Sequence, residues 1–90
     1  MAERRNKLQI IGDILTAIQR KGGKIKPTHV LYRSNLSYDR LKKYIEELNK
    51  NGLIIIEEED GKTRYSLTNK GMEFIVEIHK INEITDAFGI

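Results

Sequence analysis

The sequence contains no cysteine, which removes disulfides and thiolate metal sites and gives no sign of an oxidising compartment. No apolar run approaches the roughly 20 residues that span a bilayer. The stretch from Met1 to Lys7 is polar and does not read as the apolar core of a secretory signal. Internal repeats and low-complexity segments are missing, so neither a linker nor a second domain is expected. There is no nucleophile elbow, phosphate loop or dinucleotide fingerprint. The carboxylate pairs Glu46-Glu47 and Glu57-Glu58 fall on exposed periodic elements without a pocket. His29 and His79 stand far apart, with no cysteine or carboxylate at metal-ligand spacing. Together these absences imply a cytoplasmic chain that is not an enzyme, with no metal, no cofactor and no membrane partner.

Ninety residues make one domain near the lower limit of what a single core stabilises, and burial in a dimer is a natural supplement. Sixteen basic against 13 acidic side chains leave a net charge of +3, too little to identify a polyanionic partner by itself. The charge is segregated. Arg4, Arg5 and Lys7 cluster at the start, and Arg33, Arg40, Lys42 and Lys43 in the middle. Glu57, Glu58, Glu59 and Asp60 form one acidic run.

Apolar periodicity over Leu8, Ile11, Leu15 and Ile18, widened by Ile10 and Ile14, predicts a first helix from about Glu3 to Arg20. Gly22-Gly23 closes it. Lys24-Ile25-Lys26 reads as an extended connector, and Pro27 opens a short helix through Val30, Leu31 and Tyr32 that stops at Ser34-Asn35. Ser37 is an N-cap for a third helix with Leu41, Ile45 and Leu48 on its buried face, closed by Asn51-Gly52. Leu53 to Ile56 is a strand. Asp60-Gly61 is a hairpin turn, and Arg64 to Leu67 is the returning strand. Thr68 caps a last helix running to about Ala87.

The expected fold is mainly α with a small β-hairpin: a winged helix-turn-helix over residues 1–68, with a long C-terminal dimerisation helix over 69–90 of the same compact unit. Two short helices joined by a turn are common, and the hairpin directly after the third helix is what makes the pattern specific. In such a fold the third helix enters the major groove of duplex DNA by its N-terminal end. With Leu41 at the centre of the buried face, Asp39, Lys42, Lys43 and Glu46 lie on the far side, flanked by Tyr38 and Arg40. Ser37, Tyr38, Lys42 and Lys43 suit phosphate or base contacts, with Arg33 and Arg40 as positioning cations. Asp39 suits either a cytosine amine or the helix N-terminus. In the wing, Lys62 and Arg64 follow the turn. The acidic run before it opposes a polyanion, so these carboxylates either face away or limit the wing's approach; a solvated edge that blocks strand pairing explains them equally.

The last helix places Phe74, Ile78, Ile81, Thr85 and Phe88 at heptad-like spacing, with Ile75 and Ile84 beside the seam and Met72 at its start. About 19 residues extend about 28 Å, further than so small a domain covers. A twofold homodimer through this seam is expected, against the alternative that the helix folds back on the first helix of its own chain.

Three stretches also resemble archaeal winged-helix DNA-binding proteins. They are Gly52-Leu53-Ile54 with Asp60-Gly61-Lys62, Tyr65-x-Leu67-Thr68-x-Lys70-Gly71, and Tyr32-Arg33-Ser34-Asn35-Leu36-Ser37-Tyr38 through Leu41 to Tyr44. The likeness runs from about Arg5 to Glu83 and takes in ArnR-like regulators and dimeric chromatin-associated proteins with an antiparallel C-terminal coiled coil. It implies binding of double-stranded DNA as a homodimer, nucleoid association and no enzymatic activity. Two other roles stand beside transcriptional regulation: an architectural chromatin protein of low sequence specificity, and a winged-helix protein-interaction module that leaves DNA alone.

Overall fold

The computed structural model describes residues 5–90. Glu3 and Arg4, at the expected start of the first helix, lie outside the described residues. Helix α1 is Lys7–Arg20. Asn6 caps it, its side chain accepting from the Gln9 amide at 2.8 Å while the Gln9 side chain accepts from the Asn6 amide at 2.9 Å. That reciprocal capping box fixes the start later than the apolar periodicity suggested.

Lys24–Ile25 forms β1, Pro27–Ser34 forms α2, and Tyr38–Lys50 forms α3. Strands β2 (Ile54–Glu59) and β3 (Lys62–Leu67) make the wing, and α4 spans Asn69–Ala87. The connector read from Lys24 to Lys26 is thus partly a strand: Lys24 pairs with Ser66 and Ile25 with Tyr65. The sheet has three antiparallel strands in the order β1-β3-β2. Two residues carry no periodicity, so only pairing with β3 reveals β1. Strand β2 also runs on through Glu57 to Glu59, because ladder bonds to β3 override the weak strand preference of glutamate. Asp60 and Gly61 adopt φ of 53° and 74°, the left-handed pair that a two-residue turn requires.

Helix α1 is the centre of the core. Its Ile10, Ile11, Ile14, Leu15, Ala17 and Ile18 are buried, and they pack with Ile25, Val30, Leu36, Leu41, Ile45, Leu48, Leu53, Ile54 and Ile75. Every predicted anchor of α3 is therefore inside, and its polar positions are outside.

The far end of α3, the start of β2 and the start of α4 meet at one joint. The Thr68 hydroxyl donates to the Gly52 carbonyl at 2.6 Å and accepts from the Gly71 amide at 3.0 Å. The Thr68 amide donates to the Leu53 carbonyl at 3.2 Å, and Lys70 Nζ to the Asn51 carbonyl at 2.7 Å. Gly71 is buried, and a Cβ there would collide with the Leu53 carbonyl oxygen and a Leu67 methyl.

Beyond the joint, α4 crosses α1. Ile75 and Ile78 are buried, and Ile78 lies over Gly12. The expected seam is divided by this crossing. Ile78 is only 8% exposed and is used inside its own chain, and Phe74 is half-buried against the core. Ile81, Ile84 and Phe88 remain 44%, 57% and 78% exposed. A helix lying on another gives up one side, which takes Ile78 out of the free stripe and leaves Ile81, Ile84 and Phe88 on it.

Replacing Gly71 by alanine forces the joint apart. A loss of about 3 kcal/mol, at the upper end for overpacking, is expected in chemical denaturation; wild-type stability would show that the approach relaxes freely.

Candidate nucleic-acid interface

Helix α3 begins where the chain can still turn. Asn35 takes a left-handed φ of 54° at the end of α2, Leu36 drops into the core, and Ser37 Oγ accepts from the Arg40 amide at 3.3 Å. Ser34, the last residue of α2, is fully buried, with its hydroxyl on the Leu31 carbonyl. The turn is therefore packed, and it holds the N-terminal end of α3 clear of the core.

Ser37, Tyr38, Asp39, Arg40, Lys42, Lys43 and Glu46 are all exposed, as the sequence reading required. They divide between two flanks. Arg40 and Lys43 share a shallow hollow with Lys7, Tyr44 and Glu47, on the side of the start of α1. There the Lys7 ammonium bonds the Glu47 carboxylate at 2.7 Å, and that hydrogen bond, with the charge behind it, raises the lysine pKa. Tyr38 lies on the other flank, near Tyr65 of the wing, whose phenol pKa is raised by burial and to a smaller extent by Tyr38. Tyr38 itself is 65% exposed.

Arg33 does not join this group. It lines the cleft between α1 and α4 together with Arg5 and Arg20. Tyr32, which the sequence placed in α2 and at the head of the stretch resembling a helix-turn-helix but not among the DNA contacts, is 87% exposed and stands next to the packed turn. Its single apolar neighbour in sequence, Leu31, gave no reason to expect that degree of exposure.

In the wing, the carboxylates and the cations of the returning strand meet across the ribbon. The register sets Glu59 opposite Lys62 and Glu57 opposite Arg64, so those four charges occupy one face of the ribbon. Glu58 lies on the other face, accepting from Thr63 Oγ1 at 2.9 Å. A third cation arrives from β1. Lys24 reaches across β3 to Glu59 at 3.4 Å and Glu57 at 3.6 Å. Its pKa is raised chiefly by the hydrogen bond to Glu59, then by the charges of Glu59 and Glu57. Charge counting by segment was the signal that would have found it: from Ile14 to Tyr38 there are Arg20, Lys21, Lys24, Lys26 and Arg33 and no carboxylate.

Among the described residues no cluster of side chains is suited to holding a metal ion, and no helix is long and apolar enough to cross a membrane.

A helix-turn-helix whose second helix is exposed at its N-terminal end, followed by a hairpin, describes one fold family. The family model for winged helix-turn-helix proteins matches residues 4–86. The chain belongs to that family. It is 30% identical over 84 residues to an uncharacterised protein of Methanocaldococcus jannaschii, covering 93% of this chain and 80% of the other. Its structure is similar to Sso10a-2, a DNA-binding protein from Sulfolobus solfataricus, with a TM-score of 0.84 and 27% identity over 93% of this chain and 85% of that one. It is also similar in fold to F93 from STIV, a winged-helix DNA-binding protein, with a TM-score of 0.74 and 21% identity over 88% and 92% of the two chains. The architecture is a winged helix with a third strand in the sheet and a long C-terminal helix.

If Lys24 offsets the acidic side of the wing, removing it and removing the acids should act in opposite directions on duplex affinity. Lys24→Ala should weaken binding about two- to threefold, and Glu57→Gln with Glu59→Gln should strengthen it by a similar factor, the scale of exposed charge contacts. Fluorescence anisotropy on a labelled duplex reads both, and equal affinities throughout would place the wing away from DNA.

Proposed function

We propose that the protein binds double-stranded DNA as a homodimer and acts as a transcriptional regulator, with the N-terminal end of α3 in the major groove. The observation that carries this reading is the exposed set at the N-terminal end of α3: Lys42 and Lys43 turned away from the buried Leu41, Ile45 and Leu48, with Ser37 at the cap and Tyr38 on the flank toward the wing. Lysines there meet phosphates or guanine edges, and the hydroxyls donate to phosphate. Arg40 supplies a positioning contact from the α1 flank. Tyr32 adds a hydroxyl from the end of α2, while Arg33, set in the α1–α4 cleft, is a peripheral contact at most. Lys62 and Arg64 act as auxiliaries, because Glu59 and Glu57 stand directly across the ribbon from them. The likeness to Sso10a-2 supports DNA as the partner.

Residues 69–90 form the dimerisation segment of the same unit as residues 1–68. Ile81, Ile84 and Phe88 give α4 an apolar stripe that its own chain leaves open. Phe74 and Thr85 border that stripe, and Ile78 supports it from inside the chain.

Anisotropy at two salt concentrations, on a random duplex and on the gene's own upstream region, tests both parts of the DNA reading. Lys42→Ala with Lys43→Ala should reduce the slope of log affinity against log salt by about 1.8, the value for two lost phosphate contacts. Unchanged affinity would sink the assignment of α3. Equal affinity for the two duplexes would identify the architectural, weakly selective variant instead of a regulator.

Light scattering should give a dimer for the parent chain at micromolar concentration and a monomer for Ile81→Glu. A parent chain that stays monomeric removes the dimer.

A further inference from the structure

We propose that the surface around the turn between α2 and α3 binds single-stranded nucleic acid, with Tyr32 and Tyr38 as stacking platforms for unpaired bases. Tyr32 lies in the last turn of α2 and Tyr38 is the first residue of α3, on either side of the turn packed by Ser34 and Leu36. They are 87% and 65% exposed, whereas Tyr44 and Tyr65 are only partly so. The chain between the two limits their Cα separation to about 20 Å. His29, also exposed, is a neighbour of Tyr32 on the surface of α2. One exposed ring is ordinary on a protein surface. Here two stand at the same end of the molecule, with Tyr65 near the second.

The flat face of such a ring meets nothing in an intact duplex. There the bases stack on one another and offer only their edges in the grooves, so a tyrosine contributes its hydroxyl. An unpaired base offers the face itself, and base–ring stacking tolerates any sequence. The surrounding charge favours this partner over an apolar protein surface. Lys42 lies one helical turn beyond Tyr38 on α3, and Lys43 follows it. Arg20, Lys21, Lys24, Lys26 and Arg33 precede Tyr38, and Asp39 is the one carboxylate from Ile14 to Lys43. Rings for bases and cations for phosphates are thus combined in one stretch of chain, the combination that single-strand binders use. The site shares its lysines with the proposed duplex contact but needs no duplex.

The test is anisotropy of the full chain with a labelled thymidine oligomer of about 12 nucleotides, a length one small domain covers, against an abasic strand of equal length and charge. The thymidine strand should bind about tenfold more tightly, the scale of one base–ring stack, and should quench the tyrosine emission of a chain that has no tryptophan. A uridine ribo-oligomer run alongside assigns the sugar, and tighter binding of either form upholds the site. Tyr32→Ala and Tyr38→Ala should each weaken the strand complex about tenfold. Tyr32→Phe and Tyr38→Phe should keep it, with all four variants melting like the parent. Equal loss in the phenylalanine variants would make the contacts hydroxyl bonds and overturn the proposal, as would equal affinity for the abasic strand or binding of no strand at all. Strand binding by a protein that binds no duplex would uphold this site and sink only the duplex reading.

Discussion

The arrangement of this molecule depends on the close approach of the first turn of α4 to the start of β2. Gly71 lets the helix backbone come against the Leu53 carbonyl, and Thr68 ties the strand end to that turn through both its amide and its hydroxyl. The hydroxyl is used twice, donating to Gly52 and accepting from the Gly71 amide that would otherwise be an orphan donor at a helix N-terminus. The C-terminus of α3 is drawn in as well, since Lys70 bonds the Asn51 carbonyl that closes it. Helix, strand and helix are thus joined by short bonds from Thr68 and Lys70 to main-chain carbonyls, at a contact where Gly71 leaves no room for a side chain.

That joint also explains in physical terms why the segments Gly52-Leu53-Ile54 and Leu67-Thr68-x-Lys70-Gly71 carry the resemblance to winged-helix proteins. They are distant in sequence and touch in space. One needs a carbonyl with no bulk in front of it, and the other provides a glycine, a bonding hydroxyl and a long cation at the right places along a helical turn. The likeness between them reflects a contact that neither segment shows by itself.

Most of the fold was legible because its signals are local. Caps at Ser37 and Thr68, the Asp60-Gly61 turn and the apolar period of α1 and α3 each depend on a few neighbouring residues. Other features depend on partners. Strand β1 has too few residues for a period and exists only through β3. Ile78 and Ile81 look alike on a helical projection, and only the crossing of α1 over α4 separates the buried from the exposed one. The wing register was within reach of arithmetic, since a two-residue turn after Glu59 sets Glu59 against Lys62 and Glu57 against Arg64. Reading the acidic run as a block, without folding it back on the returning strand, hid that pairing. In the candidate interface the outward set on α3 follows from periodicity, whereas the Lys24 bridge and the turning of Arg33 into the α1–α4 cleft require three dimensions.

The rigidity at Gly71 and Thr68 has a mechanical meaning for α4. Measured from the joint, α4 is about 28 Å long, and a tilt of about 10° at its base, resisted further along by Ile75 and Ile78 against α1, would sweep the tip through about 5 Å. One base-pair step along a duplex is about 3.4 Å, so a loose hinge would blur the distance between two reading heads by more than a step. In the proposed dimer the close contact at Gly71 and the bonds of Thr68 would set the angle of that lever, and the fulcrum would therefore act as the ruler.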